Sequence, residues 1–250
     1  MAGLTQFSSA GGNPEPVYSS PDERRSVTVE VCEGVWLDHR KALVMPTEGW
    51  MAVADLHYGF EVHRRAAHGA LLPDFGMAEV EERLLQLVRS YDVKKLILVG
   101  DIMDGAGSAN LTADFLDRME VAGPELICVA GNHDRAGLKS RRDLIPFYAI
   151  GAFFFHHGHQ QEAAAAAMQS LSSPPNGWLE IQGHLHPSVR LGDHAGLRVE
   201  LPALVELPQA CNVARRFVLP AFSPWARGGR ILTPAPIAQW ACAKGGVLPL

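Results

Sequence analysis

The chain has 250 residues, of which 47% are hydrophobic and 20% are charged. This composition provides enough apolar material for a buried core and fits one large domain or two small ones. Its formal net charge of −5 excludes a globally basic nucleic-acid-binding protein. A nucleic-acid substrate is still compatible with that charge, because a local basic rim can contact a phosphate backbone.

The lack of a recognisable targeting or membrane-spanning segment and the spacing of the cysteines predict a cytoplasmic protein with no membrane partner. No stretch approaches the ~20 apolar residues that span a bilayer, and the N-terminus lacks the pattern of a signal peptide. The cysteines show no C-x-x-C spacing, so we expect reduced thiols; they are Cys32, Cys128, Cys211 and Cys242. Residues 1–25 are rich in Gly, Ser and Pro and predict a flexible leader, followed by a single domain over 26–250.

Strands and helices alternate in the first half of the predicted domain. Apolar, β-like runs cover 27–31, 35–37, 42–45 and 50–54. Val80, Leu84 and Leu87 recur at helical spacing and predict an amphipathic helix over 77–91. Two short buried strands follow at 95–99 and 125–130, with a helix at 111–121 between them. This alternation is typical of a layered α/β core.

Short β-like runs dominate the second half of the chain. They cover 153–155, 179–181, 189–191, 197–201, 203–207 and 215–219. A helix is predicted over 160–171, where five consecutive alanines precede a Ser-Ser-Pro-Pro stop. The fold class we predict is therefore α/β, with two packed β-sheets flanked by helices.

Five polar clusters each follow one of the apolar runs. They are Asp55-Leu-His57, Gly100-Asp101, Gly131-Asn-His-Asp134, His157-Gly-His159 and Gly183-His-Leu-His186. Ligand sites of layered α/β folds collect at the carboxyl ends of strands, so side chains distant in sequence can meet there. Asp-Leu-His and Gly-Asp alone are more typical of an ordinary loop or turn, whereas Gly-Asn-His-Asp and Gly-His-Leu-His place an unusual number of polar groups after a strand. The co-occurrence of all five is what indicates a functional site.

The side chains in these clusters suit a pair of divalent metals. Carboxylate and amide oxygens mixed with imidazoles are ligands for Mn, Fe, Zn or similar ions. A carboxylate has two oxygens and can bridge two cations. Two metals ~3.5–4 Å apart can hold a phosphate oxygen and generate a bridging hydroxide. The sequence therefore predicts a two-metal phosphoester hydrolase.

The order D-x-H, GD, GNHD, HGH and GHxH resembles that of the calcineurin-like metallophosphoesterase superfamily, over about residues 50 to 190. This resemblance implies a four-layer αββα sandwich. The stretch from Asp55 to Glu61, followed by Arg64, Gly69 and Pro73, is similar to the SbcD-related and DNA-ligase-associated phosphoesterases. So is the later segment Leu219-Pro-Ala-Phe222. Mn2+ as the favoured metal, with Fe, Zn or Mg as alternatives, and DNA-repair partners are further implications.

The resemblance also implies roles for individual residues. Asp55, His57 and His186 would bind the first metal, and Asp101 would bridge both. Asn132, His157 and His184 would bind the second metal. His133 would be the catalytic histidine, placed to donate a proton or stabilise charge near the leaving group. Its neighbour Asp134 could orient the imidazole, as carboxylates often do for working histidines.

Some nearby residues have two interpretations at this stage. His156, His157 and His159 compete for one ligand role, which we assign to His157 because the family's ligand directly precedes a glycine. His156 then faces the opposite side of the strand, while His159 is expected behind the ligands or facing substrate. Asp104 is either support for the site or a simple turn carboxylate. The pairs Arg64-Arg65 and Arg141-Arg142 contact a phosphate backbone or form a solvated helix face.

The predicted activity is a phosphodiesterase or nuclease-like reaction on nucleic acid or a nucleotide. A phosphatase or pyrophosphohydrolase of a small metabolite is the alternative, since the same centre serves both. A non-catalytic scaffold with this fold is less favoured, because such scaffolds lose metal ligands and this chain retains them all.

Overall fold

A computed structural model describes residues 27–73, 75–105, 108–192, 196, 198–210, 213–231 and 233–250. The predicted leader at 1–25 lies outside the described residues, as do Cys211 and Leu197. The other three cysteines are free thiols, as expected. None of the helices in the described ranges is long and apolar enough to cross a bilayer.

The first sheet has six strands in the order β1-β2-β3-β4-β5-β6. Their bounds are β1 Thr28–Cys32, β2 Val35–Asp38, β3 Ala42–Met45, β4 Trp50–Val53, β5 Lys95–Val99 and β6 Glu125–Val129. The first four pair antiparallel, whereas β4, β5 and β6 run parallel. The three parallel strands therefore end together at one edge, just before three of the polar clusters.

Three helices lie along this half of the chain, and a fourth, short one follows β6. They are α1 Phe60–His68, α2 Gly76–Tyr91, α3 Ala109–Val121 and α4 Ala136–Lys139. The buried faces of α2 and α3 carry residues such as Leu84, Leu87, Phe115 and Leu116, which belong to one apolar cluster with the outer face of the first sheet. This packing forms one of the two outer helical layers of the fold.

The second sheet is built from the later part of the chain, with one helix against it. Its elements are β7 Phe147–Ile150, β8 Phe153–His156, α5 Gln161–Ser170, β9 Trp178–Gln182, β10 Ser188–Gly192, β11 Arg198–Leu207, β12 Val213–Val218, β13 Ala238–Ala243 and β14 Gly246–Pro249. The strand order is β14-β13-β11-β12-β9-β8-β7, and β10 pairs with β11. Strands β8, β9 and β12 are parallel, so β8 and β9 also end together.

The two sheets pack face to face through a second apolar cluster. It includes Trp50 and Ile97 from the first sheet and Phe155, Ile181 and Phe217 from the second. Buried Ala164 and Met168 of α5 cover the opposite face of the second sheet. The layers are thus helix, sheet, sheet and helix, which confirms the predicted fold class.

The structure adds elements that periodicity did not predict, namely α1, α4, β7, β13 and β14. It also joins two predicted strands into β11, whose first half pairs with β10 and whose second half pairs with β12 and β13. The change of partner near Pro202 explains why this strand looks interrupted in sequence, since proline cannot donate a ladder hydrogen bond.

His156 is buried inside the second sheet and away from the polar clusters. Its Nε2 lies 2.8 Å from Glu180 Oε1, and the other carboxylate oxygen accepts a 2.9 Å bond from Arg216. Burial alone raises the pKa of Glu180, but His156 and Arg216 outweigh it and hold that pKa below its ordinary value. The ionised carboxylate therefore stabilises the fold.

We expect Glu180→Gln to lower the free energy of unfolding by roughly 2–3 kcal/mol, because it leaves a buried charged partner incompletely paired. Because the folded pKa lies below the ordinary 4.5, the stabilisation is complete above that pH and is lost as pH falls through the folded value. Thermal unfolding from pH 3 to 7 should show the difference between wild type and variant narrowing in acid. Glu162→Gln, on the exposed face of α5, is the control and should leave stability unchanged.

Candidate metal centre

The first sheet presents its polar residues directly after β4, β5 and β6. The amide of Asp55 donates to Gly100 O at 3.2 Å, and the amide of His57 donates to Asp101 O at 2.9 Å. These bonds continue the pairing of β4 with β5 beyond the strands themselves. The two predicted acidic ligands are consequently held side by side.

The second sheet supplies the histidines from the ends of β8 and β9. The amide of Gly183 donates to His157 O at 3.2 Å, which joins the two strand ends. His157 Nδ1 lies 3.2 Å from Val99 O of the first sheet. The amide of His184 donates to the carboxylate of Asp55, at 3.0 Å to Oδ2. Hydrogen bonds therefore tie the two sheets together at the site.

Glycine is required where the strand ends come closest. A Cβ on Gly183 would lie 2.8 Å from Asp55 Oδ2, and one on Gly100 would lie 2.3 Å from the His157 ring. A Cβ on Gly131 would lie 2.2 Å from Asp101 Oδ1. Gly100 and Gly183 thus allow the two sheets to approach each other, and Gly131 allows the loops after β5 and β6 to do so.

The backbone is unusual at the same positions. Within the described residues, seven non-glycine residues have positive φ, a conformation that costs energy for residues with a Cβ. Five of the seven are predicted metal ligands: Asp55, His57, Asp101, His184 and His186. Such strain collects at functional sites, where the surrounding structure maintains it.

The first group of ligand atoms comprises Asp55, His57 and His186. His186 Nε2 lies 3.3 Å from His57 Nε2 and 3.3 Å from Asp55 Oδ1. The opposite ring nitrogen of His57 contacts Asp104 Oδ1 at 3.1 Å. That contact leaves Nε2 as the nitrogen facing the other two residues.

The second group comprises Asp101, His157 and His184. His157 Nε2 lies 3.3 Å from Asp101 Oδ2 and 3.1 Å from Asn132 Oδ1. Because His157 Nδ1 faces the Val99 carbonyl, its Nε2 is directed into the group. The seven residues predicted as ligands therefore lie in two adjacent groups.

Asp101 connects the two groups. Its Oδ2 lies 3.3 Å from His157 Nε2 and 4.0 Å from His57 Nε2, while its Oδ1 accepts the His133 amide at 2.8 Å. Burial alone raises the pKa of Asp101, but His157, the His133 amide and His57 hold it well below its usual range. The carboxylate is thus ionised, and its Oδ2 faces a histidine of each group, so this one oxygen is placed between the two groups.

The donor set fits divalent metals. Ligand atoms about 2.1 Å from one ion, at tetrahedral or octahedral angles, lie about 3.0–3.4 Å from each other. Both groups contain pairs of ligand atoms at 3.3 Å, including the Nε2 atoms of His57 and His186 in the first group. Carboxylate, amide and imidazole donors with no thiolate suit the ions expected from the sequence.

His133 is half-exposed at the rim of this centre, and its Nδ1 lies 3.2 Å from Asp104 Oδ1. The same oxygen contacts His57 Nδ1. Burial raises the pKa of Asp104, but the two histidines more than offset this and lower it. Asp104, for which the sequence left two interpretations open, is thus an ionised carboxylate shared by His133 and His57.

Asp134 does not orient His133, contrary to our expectation. Its carboxylate accepts the amides of Gly131, Ile102 and Met103 at 2.7, 2.9 and 3.1 Å, and burial raises its pKa. It therefore ties the loop after β6 to the loop after β5. The orienting contact belongs to Asp104, whose Oδ1 lies 3.2 Å from His133 Nδ1.

The remaining candidate residues have varied surroundings. The His159 ring lies 5.2 Å from the His157 ring and 6.3 Å from the His184 ring. Arg142 forms ion pairs with Asp117 and Glu120, so its guanidinium stabilises the fold. Arg65 donates to Leu72 O. The Arg64 guanidinium lies 4.9 Å above the Phe60 ring.

We expect Asp101→Asn to reduce bound metal in both groups, since one neutral amide oxygen replaces the shared charged carboxylate. Purified wild type should carry about two ions per chain by elemental analysis, and a chelator should abolish hydrolysis. Asp114→Asn, on the exposed face of α3, is the matched control and should keep the full metal content. Full metal and full activity in Asp101→Asn would contradict the bridging assignment.

Comparison with solved structures gives one match that shows a shared fold and two weaker matches. A nuclease, MPE, from Pseudomonas putida matches with a TM-score of 0.58 at 24% identity, over 89% of this chain and 98% of that chain. A protein of unknown function from Aquifex aeolicus matches with a TM-score of 0.39 at 19% identity, over 55% and 78% of the two chains. A dimetal phosphatase from Danio rerio gives a TM-score of 0.34 at 11% identity, over 80% and 97%. No curated protein sequence matches the chain.

The family model described as calcineurin-like phosphoesterase matches residues 51–213, which is more than half of the chain and includes all seven predicted ligands. The two sheets with their flanking helices and the two groups of ligand atoms agree with this match. The chain therefore belongs to the calcineurin-like phosphoesterase family and is a metal-dependent phosphoester hydrolase.

Proposed function

We propose that this protein is a two-metal phosphodiesterase that acts on nucleic acid or nucleotides. The observation that carries the proposal is the division of the seven predicted ligands into two adjacent groups that share Asp101. Asp55, His57 and His186 would hold one ion, and Asn132, His157 and His184 the other. When bound, two such ions polarise a phosphate and activate water.

His133 is the catalytic residue of this proposal. Its amide donates to Asp101 and its Nδ1 contacts Asp104, so both its backbone and its ring are positioned. The ring is 42% exposed, which leaves Nε2 accessible to a substrate. A proton donated from Nε2 to the leaving oxygen completes cleavage of the ester bond and neutralises the new alkoxide.

The surroundings of the first group favour a diester with a substituent on each side of the phosphate. A cavity of about 470 Å³ adjoins His186 and is lined also by Ser188, Glu200, Pro202 and Arg227. This volume is typical of a site for a small organic ligand, and its mixed polar and apolar lining suits a sugar or base. The resemblance to SbcD-related phosphoesterases and the description of the Pseudomonas putida protein as a nuclease support the same substrate class.

Mn2+ as the resident metal, a cytoplasmic location, a single domain and partners in DNA repair are further parts of the proposal. They rest on the family resemblance and on the cysteine spacing of the sequence. Elemental analysis of the protein, together with reconstitution by Mn2+, Fe2+, Zn2+ and Mg2+, tests the choice of metal.

We expect His133→Asn to keep both metals while lowering kcat roughly 10²–10⁴-fold, the usual scale for losing a general acid. The loss should be larger for an unactivated diester than for bis-p-nitrophenyl phosphate, whose leaving group needs less protonation. His68→Asn, at the exposed end of α1, serves as the control. Loss of a metal, or an equal effect on both substrates, would exclude the role of proton donor.

We expect diesters to be cleaved faster than monoesters. Initial rates with Mn2+ should favour bis-p-nitrophenyl phosphate over p-nitrophenyl phosphate, and oligonucleotides should also be cleaved. The physical reason is that the cavity beside His186 provides room for a second substituent, which a monoester cannot use. If monoesters win by about tenfold or more, the enzyme is a phosphatase of a small metabolite instead.

A further inference from the structure

Three aromatic side chains from separate parts of the chain meet near the first ligand group. Phe60 begins α1, Phe75 immediately precedes α2, and Trp225 lies in the loop after β12. The Trp225 ring is 6.0 Å from Phe60 at an interplanar angle of 16°, and 4.8 Å from Phe75 at 30°. We call these three residues the aromatic surface. Phe75 is 45% exposed, whereas Phe60 and Trp225 are partly buried, so the cluster reaches solvent mainly through the Phe75 ring.

The aromatic surface is attached directly to the backbone of the metal centre. The amide of Phe60 donates to His57 O at 3.1 Å. The amide of Trp225 donates to Ser223 Oγ, and the amide of Ser223 donates to Asp55 O, both at 3.1 Å. The backbone of Phe60 is therefore linked to the first ligand group by one hydrogen bond, and that of Trp225 by two.

Close packing holds these rings in place. A Cβ on Gly76 would lie 2.0 Å from Trp225 Nε1, so the indole edge rests on the backbone at the start of α2. Glu61, which is 1% exposed, accepts the Met77 amide at 2.9 Å and joins α1 to α2. Rings positioned in advance lose little conformational entropy when a ligand stacks on them.

Positive charge accompanies the aromatic surface. The Arg64 guanidinium lies 4.9 Å above the Phe60 ring. Exposed Arg227, two residues past Trp225, lines the cavity beside His186. In a chain of net charge −5, this is the local basic rim that an anionic polymer requires.

Flat apolar rings next to arginines match the chemistry of single-stranded nucleic acid. Unpaired bases stack on aromatic side chains regardless of sequence, while arginines contact the backbone phosphates. A duplex keeps its base faces inside its own stack and cannot use the rings.

We propose that Phe60, Phe75 and Trp225, with Arg64 and Arg227, bind unpaired nucleotides and lead a strand toward the metal centre. The inference rests on the proposed diesterase function for its biological meaning. It predicts a preference for single strands over duplexes that the metal centre alone does not impose.

Binding is measured by fluorescence anisotropy with a labelled oligothymidylate of about 12 nucleotides and with a duplex of equal length. The protein is full-length, loaded with Mn2+ and carries His133→Asn to slow cleavage. Adding Phe75→Ala should weaken single-strand binding at least about fivefold, the lower end for losing one stacked base. Adding Arg64→Ala should reduce the slope of log affinity against log salt by about 0.7.

Controls separate this surface from general damage. Val121→Ala removes an 89% exposed side chain at the end of α3 and should bind like its parent. In the wild-type background, Val121→Ala should hydrolyse bis-p-nitrophenyl phosphate at the normal rate. Trp225→Leu is the second aromatic variant and should show the same loss of single-strand affinity.

The outcomes distinguish the two proposals. If single-strand affinity stays within twofold of the parent in both aromatic variants, or if duplex affinity falls equally, the aromatic surface is overturned. Diester hydrolysis by the wild type would still support the proposed function. Aromatic-dependent binding without any diester hydrolysis supports the surface and overturns the proposed function.

Discussion

The two sheets approach most closely where their parallel strands end, and the metal centre depends on that approach. At Gly100 and Gly183 a side chain would collide with His157 or Asp55. With no side chain there, the ring of His157 from the second sheet reaches the Val99 carbonyl of the first. Ligands from both sheets can then share one small volume. A layered α/β fold alone would bring the strand ends near each other without bringing their side chains into contact.

This arrangement has a conformational cost that the surrounding hydrogen bonds offset. Five predicted ligands adopt positive φ, each at a cost of about 1 kcal/mol or more. The amides of Asp55 and His57 are bonded to the neighbouring strand end, and the carboxylate of Asp134 binds three more amides of the adjoining loops. Ligand positions are thus maintained by backbone contacts, and a bound metal would add to them.

The carboxylates near the site have separate tasks because their surroundings differ. Asp101 is held ionised by histidines and a backbone amide, which suits a shared ligand. Asp104 contacts two histidine rings and positions both. Asp134 accepts hydrogen bonds from backbone amides of two loops, and burial raises its pKa. Its contacts make it a structural link between those loops. Two aspartates three residues apart, and a third on a neighbouring loop, therefore differ in function because of their contacts.

The sequence by itself determined the fold class, most of the strands and the seven candidate ligands. This was possible because apolar runs, the turn residues after them and the order of the polar clusters are local patterns. Only the tertiary structure decided which carboxylate contacts His133. Asp134 is its neighbour in the chain, but the contact comes from Asp104, which lies on a different loop. The aromatic surface was also invisible, because Phe60, Phe75 and Trp225 lie on three segments joined by packing at Gly76. Contacts between segments distant in the chain leave no periodic pattern in the sequence, because they form only when the sheets and helices pack.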